Sequence, residues 1–127
     1  MCCIDGSEAS YDALNECINF IDPVRDFLDC VCVETAKIKP SSIEMAISKQ
    51  AKIVDPKHYR YVGITNAKKL SEVELIMNFF KLKELDYDFV VLGTKGNEFV
   101  NHDKKEYIGS VVKALLRAIP TNLLLVP

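Results

Sequence analysis

No apolar run in the 127 residues approaches the roughly 18 that a membrane-crossing helix requires. The amino end carries no secretion-signal pattern. No basic block stands out either: 16 lysines and arginines face 18 aspartates and glutamates, for a net charge of −2. Binding driven by nucleic-acid phosphates or an anionic membrane surface is therefore not suggested. Histidine is scarce. His58 and His102 have neither a nucleophile partner for a triad nor metal-ligand spacing. Repeats, linkers and low-complexity tracts are absent.

What is present reads as one domain, 1–127, that is 49% hydrophobic and 27% charged and large enough to bury a core without staples. The cysteines number five, an odd count. Cys2, Cys3, Cys30 and Cys32 lie in apolar runs and Cys17 in a helical pattern. This fits reduced, buried thiols in a cytoplasmic protein. Cys30 and Cys32 share one face of a strand, but a metal site needs two further ligands, so core packing is expected.

Strand and helix signals alternate. MCCI at 1–4 is a short strand followed by Asp5-Gly6-Ser7, where Ser7 suits a helix cap and Glu8 its first turn. Ala9, Ala13, Cys17 and Phe20 or Ile21 form an apolar helical face that stops at Asp22-Pro23. FLDCVCV at 27–33 is the second strand. Ser41 and Glu44 form a capping box for a helix running to about Val54, and YRYVGIT at 59–65 is the third strand. Ser71 and Glu74 form a second capping box ahead of Val73, Ile76, Met77 and Phe80. FVVL at 89–92, a helix with Val112, Leu115, Leu116 and Ile119 inward, and LLLV at 123–126 complete the order. Such βα alternation predicts a parallel, doubly wound sheet, with ligands at the carboxyl ends of the strands.

The chain is organised around Asp88 to Val112. A strand breaks at Gly93 and again at Gly96, crosses a charged loop and restarts as a helix at Gly109-Ser110. Strand, glycine loop and helix start favour an anion, because backbone amides and the positive end of a helix dipole share one crevice. GTKGNEF is not a P-loop, since it lacks the Gly-Lys-Ser/Thr ending. Lys95, within this loop, is the candidate cation for a phosphate, its plain reading being a solvated lysine. Each residue also has a plain structural reading: Gly93 as a strand end, Gly96 as a turn, Ser110 as a cap, Asp5 as an acceptor for its own turn.

Two stretches carry a family resemblance. One is Ile4-Asp5-Gly6-Ser7-Glu8-Ala9-Ser10. The other is Val91-Leu92-Gly93-Thr94-Lys95-Gly96 with Ile108-Gly109-Ser110-Val111 and the closing Leu123 to Pro127. Over essentially its whole length the chain resembles the nucleotide-binding branch of the universal stress proteins. The resemblance implies an α/β fold: an open, Rossmann-like, five-stranded parallel sheet of order 3-2-1-4-5 with helices on both faces. It implies ATP as ligand, with Mg²⁺ carried on the phosphates. Asp5 would lie near the adenosine, Val33 against adenine, and Gly93, Gly96, Gly109 and Ser110 around ribose and phosphates; Lys95, as the cation near the phosphates, and Val111 complete the candidate set. It also implies a homodimer paired through Leu123 to Val126.

Three departures from the family pattern stand out. Twelve residues separate Gly96 from Gly109, where the family has nine. Val112 stands where the family often has a hydroxyl. The first strand is short. The expected function is ATP binding rather than turnover. Two alternatives stand beside it: a dimeric interaction module of the same fold without nucleotide, and a slow ATPase.

Overall fold

The structure, a computed structural model, describes residues 1–83, 87–95 and 108–127. Strands and helices alternate from end to end: β1 (Cys2–Cys3), α1 (Glu8–Phe20), β2 (Leu28–Val33), α2 (Pro40–Gln50), β3 (Tyr59–Ile64), α3 (Glu72–Lys83), β4 (Phe89–Gly93), α4 (Ser110–Ala118) and β5 (Asn122–Val126). The five strands form one parallel sheet of order β3-β2-β1-β4-β5. β1 is only two residues long, yet it is the centre: Cys2 pairs with Cys30 of β2 on one side and Val91 of β4 on the other.

The two-residue period of the strands divides the core into two layers. Cys30 and Cys32 point to the face covered by α1 and α2, where they meet Ala13, Leu14, Cys17, Ile43 and Ile47. Val31 and Val33 point to the face covered by α3 and α4, against Ile76, Phe80, Val112 and Leu115. Both faces are apolar, which is why the strands read as continuous hydrophobic runs. Among the described residues no helix is long and apolar enough to cross a membrane.

Helix starts follow local chemistry. Ser7 caps α1, its Oγ accepting the Ser10 N–H at 3.2 Å. The capping box at α3 forms in full: the Ser71 N–H and hydroxyl reach Glu74 Oε2 at 2.8 and 2.7 Å, and the Glu74 N–H returns to Ser71 Oγ at 3.3 Å. The expected box at Ser41 and Glu44 does not form. Pro40 supplies the fixed φ of a first helical residue, so the cap falls two positions early, on Lys39, with no side-chain cap bond. The helix also ends at Gln50 rather than near Val54, tightening into a 3₁₀ turn over Ala51–Ile53.

At the amino ends of the strands the buried carboxylate of Asp29 is fully engaged. Arg60 grips it through Nε at 3.0 Å and a second guanidinium nitrogen at 2.5 Å, and the Tyr87 hydroxyl donates at 2.5 Å. This network ties β2 to β3 and to the approach to β4. Burial raises the Tyr87 hydroxyl pKa, and its bond to Asp29 adds to the shift.

Of the apolar helix positions, the alternative of Phe20 or Ile21 resolves to Ile21, and Leu116 faces out. Phe20 is 60% exposed, stacked edge-on against Phe89, while Ile21 takes the inner position. Leu115 is fully buried, but Leu116 is 47% exposed. Leu115→Ala should therefore destabilise by about 2–5 kcal/mol in chemical denaturation, whereas Leu116→Ala should cost about 0.5 kcal/mol or less.

Candidate functional site

The carboxyl ends of β1, β2 and β4 and the first turns of α3 and α4 enclose a cleft of about 930 Å³, a volume suited to a small-molecule ligand. Cys3, Val31, Val33, Leu92, Ile76 and Val112 give it an apolar lining. Polar groups join them from every surrounding loop: Asp5 and Ser7, Thr35 and Lys37, Asn66, Lys95, and Ser110 with Lys113.

One wall is the turn after β1. Gly6 sits at φ 80°, where a Cβ is strained, and this reverses the chain into α1. Asp5 Oδ1 accepts the Ser7 N–H at 2.9 Å and the Ser7 hydroxyl at 2.5 Å. The carboxylate is thus oriented by its own turn. The turn after β2 is held by Thr35, whose Oγ1 accepts from the Lys37 and Ile38 amides at 3.3 and 3.1 Å. Asn66 and Leu70 exchange two 2.9 Å bonds that fix the loop into α3.

The opposite wall is the end of β4 with the start of α4. The Thr94 N–H donates to Val126 O at 2.8 Å, and Thr94 O accepts the Gly109 N–H at 2.9 Å. Gly109 is the N-cap and has no side chain to serve as a cap. The first amides of α4 therefore have no partner within the helix. No acid lies in this first turn, whereas α1 opens with Glu8 and α3 with Glu72 and Glu74.

Seven of the expected site residues, Asp5, Val33, Gly93, Lys95, Gly109, Ser110 and Val111, line this single cleft. The eighth, Gly96, lies outside the described residues, as do the charged loop at 97–106 and His102 and Asp103 within it. Two details differ from expectation. The Gly109 amide does not face the cleft freely, because Thr94 O engages it. Ser110 is the first helical residue and not the cap. The sequence reading did not single out Lys37, Asn66 or Lys113. Their signal was positional: two follow the carboxyl ends of strands, and Lys113 stands one helical turn past Gly109.

No family model matches the chain, and no curated protein matches it. Solved structures do. Universal stress protein UspA from Lactobacillus plantarum superimposes with a TM-score of 0.65 at 14% identity, covering 99% of this chain and 94% of that one. A universal stress protein in complex with cAMP gives 0.69 at 14% identity over 98% and 93%. The hypothetical protein MJ0577 gives 0.68 at 15% identity over 98% and 92%. The chain has the universal stress protein fold.

Within the universal stress protein fold, the two glycines of the cleft have different reasons. A Cβ at Gly93 would lie 2.5 Å from Ala9 O and 2.6 Å from its carbonyl carbon. That glycine is required for α1 to start against the end of β4. A Cβ at Gly109 would meet only Thr94 O, at 3.5 Å, an ordinary contact, and its φ of −64° suits any residue. Three of the thiols are held neutral. Desolvation pushes Cys3 and Cys30 up to about 12 and Cys32 to about 11, from an ordinary value of 9.0.

Two outcomes follow. Gly93→Ala should lower the unfolding free energy by about 1–3 kcal/mol through overpacking, while Gly109→Ala should leave it within about 0.5 kcal/mol, as read by urea denaturation. Because the folded thiols hold their protons beyond pH 9 and unfolded thiols do not, their contribution to stability is full below pH 9 and declines through pH 11–12. The thermal midpoint should fall over that window, and Cys→Ser changes at these positions should flatten the fall.

Proposed function

We propose that this chain is a nucleotide-binding protein of the universal stress type that holds ATP in the cleft and acts by binding rather than turnover. One observation carries the reading: residues from separate stretches, Asp5, Val33, Gly93 with Lys95, and Gly109 to Val111, line one cavity at the carboxyl ends of parallel strands. Ligands bind at that place in open α/β sheets, where the central strand's neighbours diverge to opposite sides. In this reading the base lies against the apolar lining at Val33. Ribose lies toward Asp5. The phosphates lie over the first turn of α4, where the dipole, the amides of Ser110 and Val111 and the cation of Lys95 are favourable. Mg²⁺ enters as the counter-ion carried by the phosphates.

The proposed assembly is a cytoplasmic homodimer formed through β5. That strand is a sheet edge with the uncharged sequence NLLLV, and an apolar edge with open backbone groups is a ready pairing surface. The alternative is a dimeric module without nucleotide. It is favoured by the engagement of the Gly109 amide with Thr94 O, which leaves the phosphates one donor fewer.

Titration of the purified protein with Mg·ATP, followed by calorimetry, decides between them. The nucleotide reading expects saturable binding that is weakened about tenfold or more by Gly109→Val, a change that fills cleft space and leaves the fold in place. A molecule of twice the chain mass that binds no ATP at millimolar concentration supports the interaction module.

A further inference from the structure

We propose that the amino end of the sheet beside β2 and β3 is a self-association face whose partner is a second copy of this chain. It lies at the end of the strands opposite the cleft and does not depend on what the cleft holds. Two loops build it. One runs from α1 to β2, residues 21–27, and the other from the end of α2 to β3, residues 51–58. The loops are stitched together. The Asp55 N–H donates to Pro23 O at 3.2 Å, and the Leu28 N–H donates to His58 O at 2.8 Å. His58 Nδ1 lies 3.2 Å from Asp26 O. The His58 ring stacks on Phe27, with centroids 4.5 Å apart and planes 6° from parallel.

This platform carries three large apolar side chains that the fold leaves outside. Val24 is 66% exposed, Phe27 73% and Ile53 66%, and none belongs to either core layer. One exposed apolar side chain is ordinary, whereas several on one fixed surface mark an interaction site. Phe27 is braced by His58. A ring already held in place loses little freedom on contact and suits the role of anchor.

The charges around these residues identify the partner. The two loops hold three carboxylates, Asp22, Asp26 and Asp55, and three cations, Arg25, Lys52 and Lys57. The neighbouring Asp29 and Arg60 pair with each other. The face therefore has no net sign and no field that would draw a strongly acidic or strongly basic partner. In a two-fold contact each residue of one copy meets a residue of the other, and the reverse. Such a contact needs opposite charges on the same surface, and this face supplies them. The acids are also fixed in position: Asp22 Oδ1 accepts the Val24 N–H at 3.0 Å, Asp26 Oδ2 the Asp22 N–H at 2.8 Å, and Asp55 Oδ1 the Lys57 N–H at 2.9 Å. Three apolar anchors are few beside the about 800 Å² that each partner buries in a standard interface, so the association is concentration-dependent.

The test is sedimentation equilibrium from micromolar to near-millimolar protein for the wild type, Val24→Glu, Phe27→Glu and Met45→Glu. Met45 is the control, 66% exposed on α2 outside this face. All three positions are exposed, and a thermal melt verifies that each variant folds. The wild type should show an association step that Val24→Glu and Phe27→Glu weaken about tenfold or more, because each buries a carboxylate without a partner at the contact. Met45→Glu should associate as the wild type does. Variants that remain dimeric where the wild type goes further support this face and leave β5 pairing in place. Variants that become monomeric where the wild type is dimeric support this face and remove the dimer from β5. A step unchanged in both variants, or weakened equally by Met45→Glu, overturns the proposal while leaving β5 pairing standing. A wild type that is monomeric at every concentration overturns both.

Discussion

The structure depends on a missing side chain. Gly93 ends the strand next to the centre of the sheet, and its bare Cα lets the carbonyl of Ala9 approach to within 2.5 Å of where a Cβ would stand. No other residue permits that approach. Because α1 starts there, the Asp5-Gly6-Ser7 turn is brought beside the end of β4, with Ser7 Oγ 3.4 Å from Lys95 O. The two walls of the cleft are fixed to one another by this contact. Thr94 extends the same logic, holding β5 through Val126 and the start of α4 through Gly109.

The rest of the molecule supports that junction from below. A sheet buried on both faces needs strands that are apolar on both sides, and β2 meets this with cysteines toward one layer and valines toward the other. Cysteine serves there as a small hydrophobe. The opposite ends of the strands are closed by the Asp29, Arg60 and Tyr87 network, in which the buried carboxylate is fully partnered. Polar chemistry open to a ligand is concentrated at the carboxyl ends.

Much of this was legible in the sequence because it is written in local signals. Strand runs, helix periodicity and the punctuation at Asp5-Gly6, Gly93 and Gly109 are all short-range, and they fix the element order and hence the end of the sheet where a site forms. Competing local signals were not decidable. Pro40 and Ser41 both mark a helix start, and proline won by presetting φ. Leu115 and Leu116 both fit a helical face, and only the packing angle of α4 buries the first. The bond from the Gly109 amide to Thr94 O, and the convergence of Lys37, Asn66 and Lys113 on the cleft, arise from tertiary placement of loops. No spacing in the sequence encodes them. The backbone reason for Gly93 was likewise hidden, because its partner Ala9 is distant in sequence.

The account turns on the cleft being the place where a nucleotide sits. Photo-crosslinking with an 8-azido adenine nucleotide, followed by peptide mapping, tests this most directly. The account predicts labelling within Val31–Lys37 or Gly93–Lys95, suppressed by unmodified ATP. Labelling on the outer face of α1, at Asp12 to Glu16, or labelling that ATP does not suppress, would contradict it.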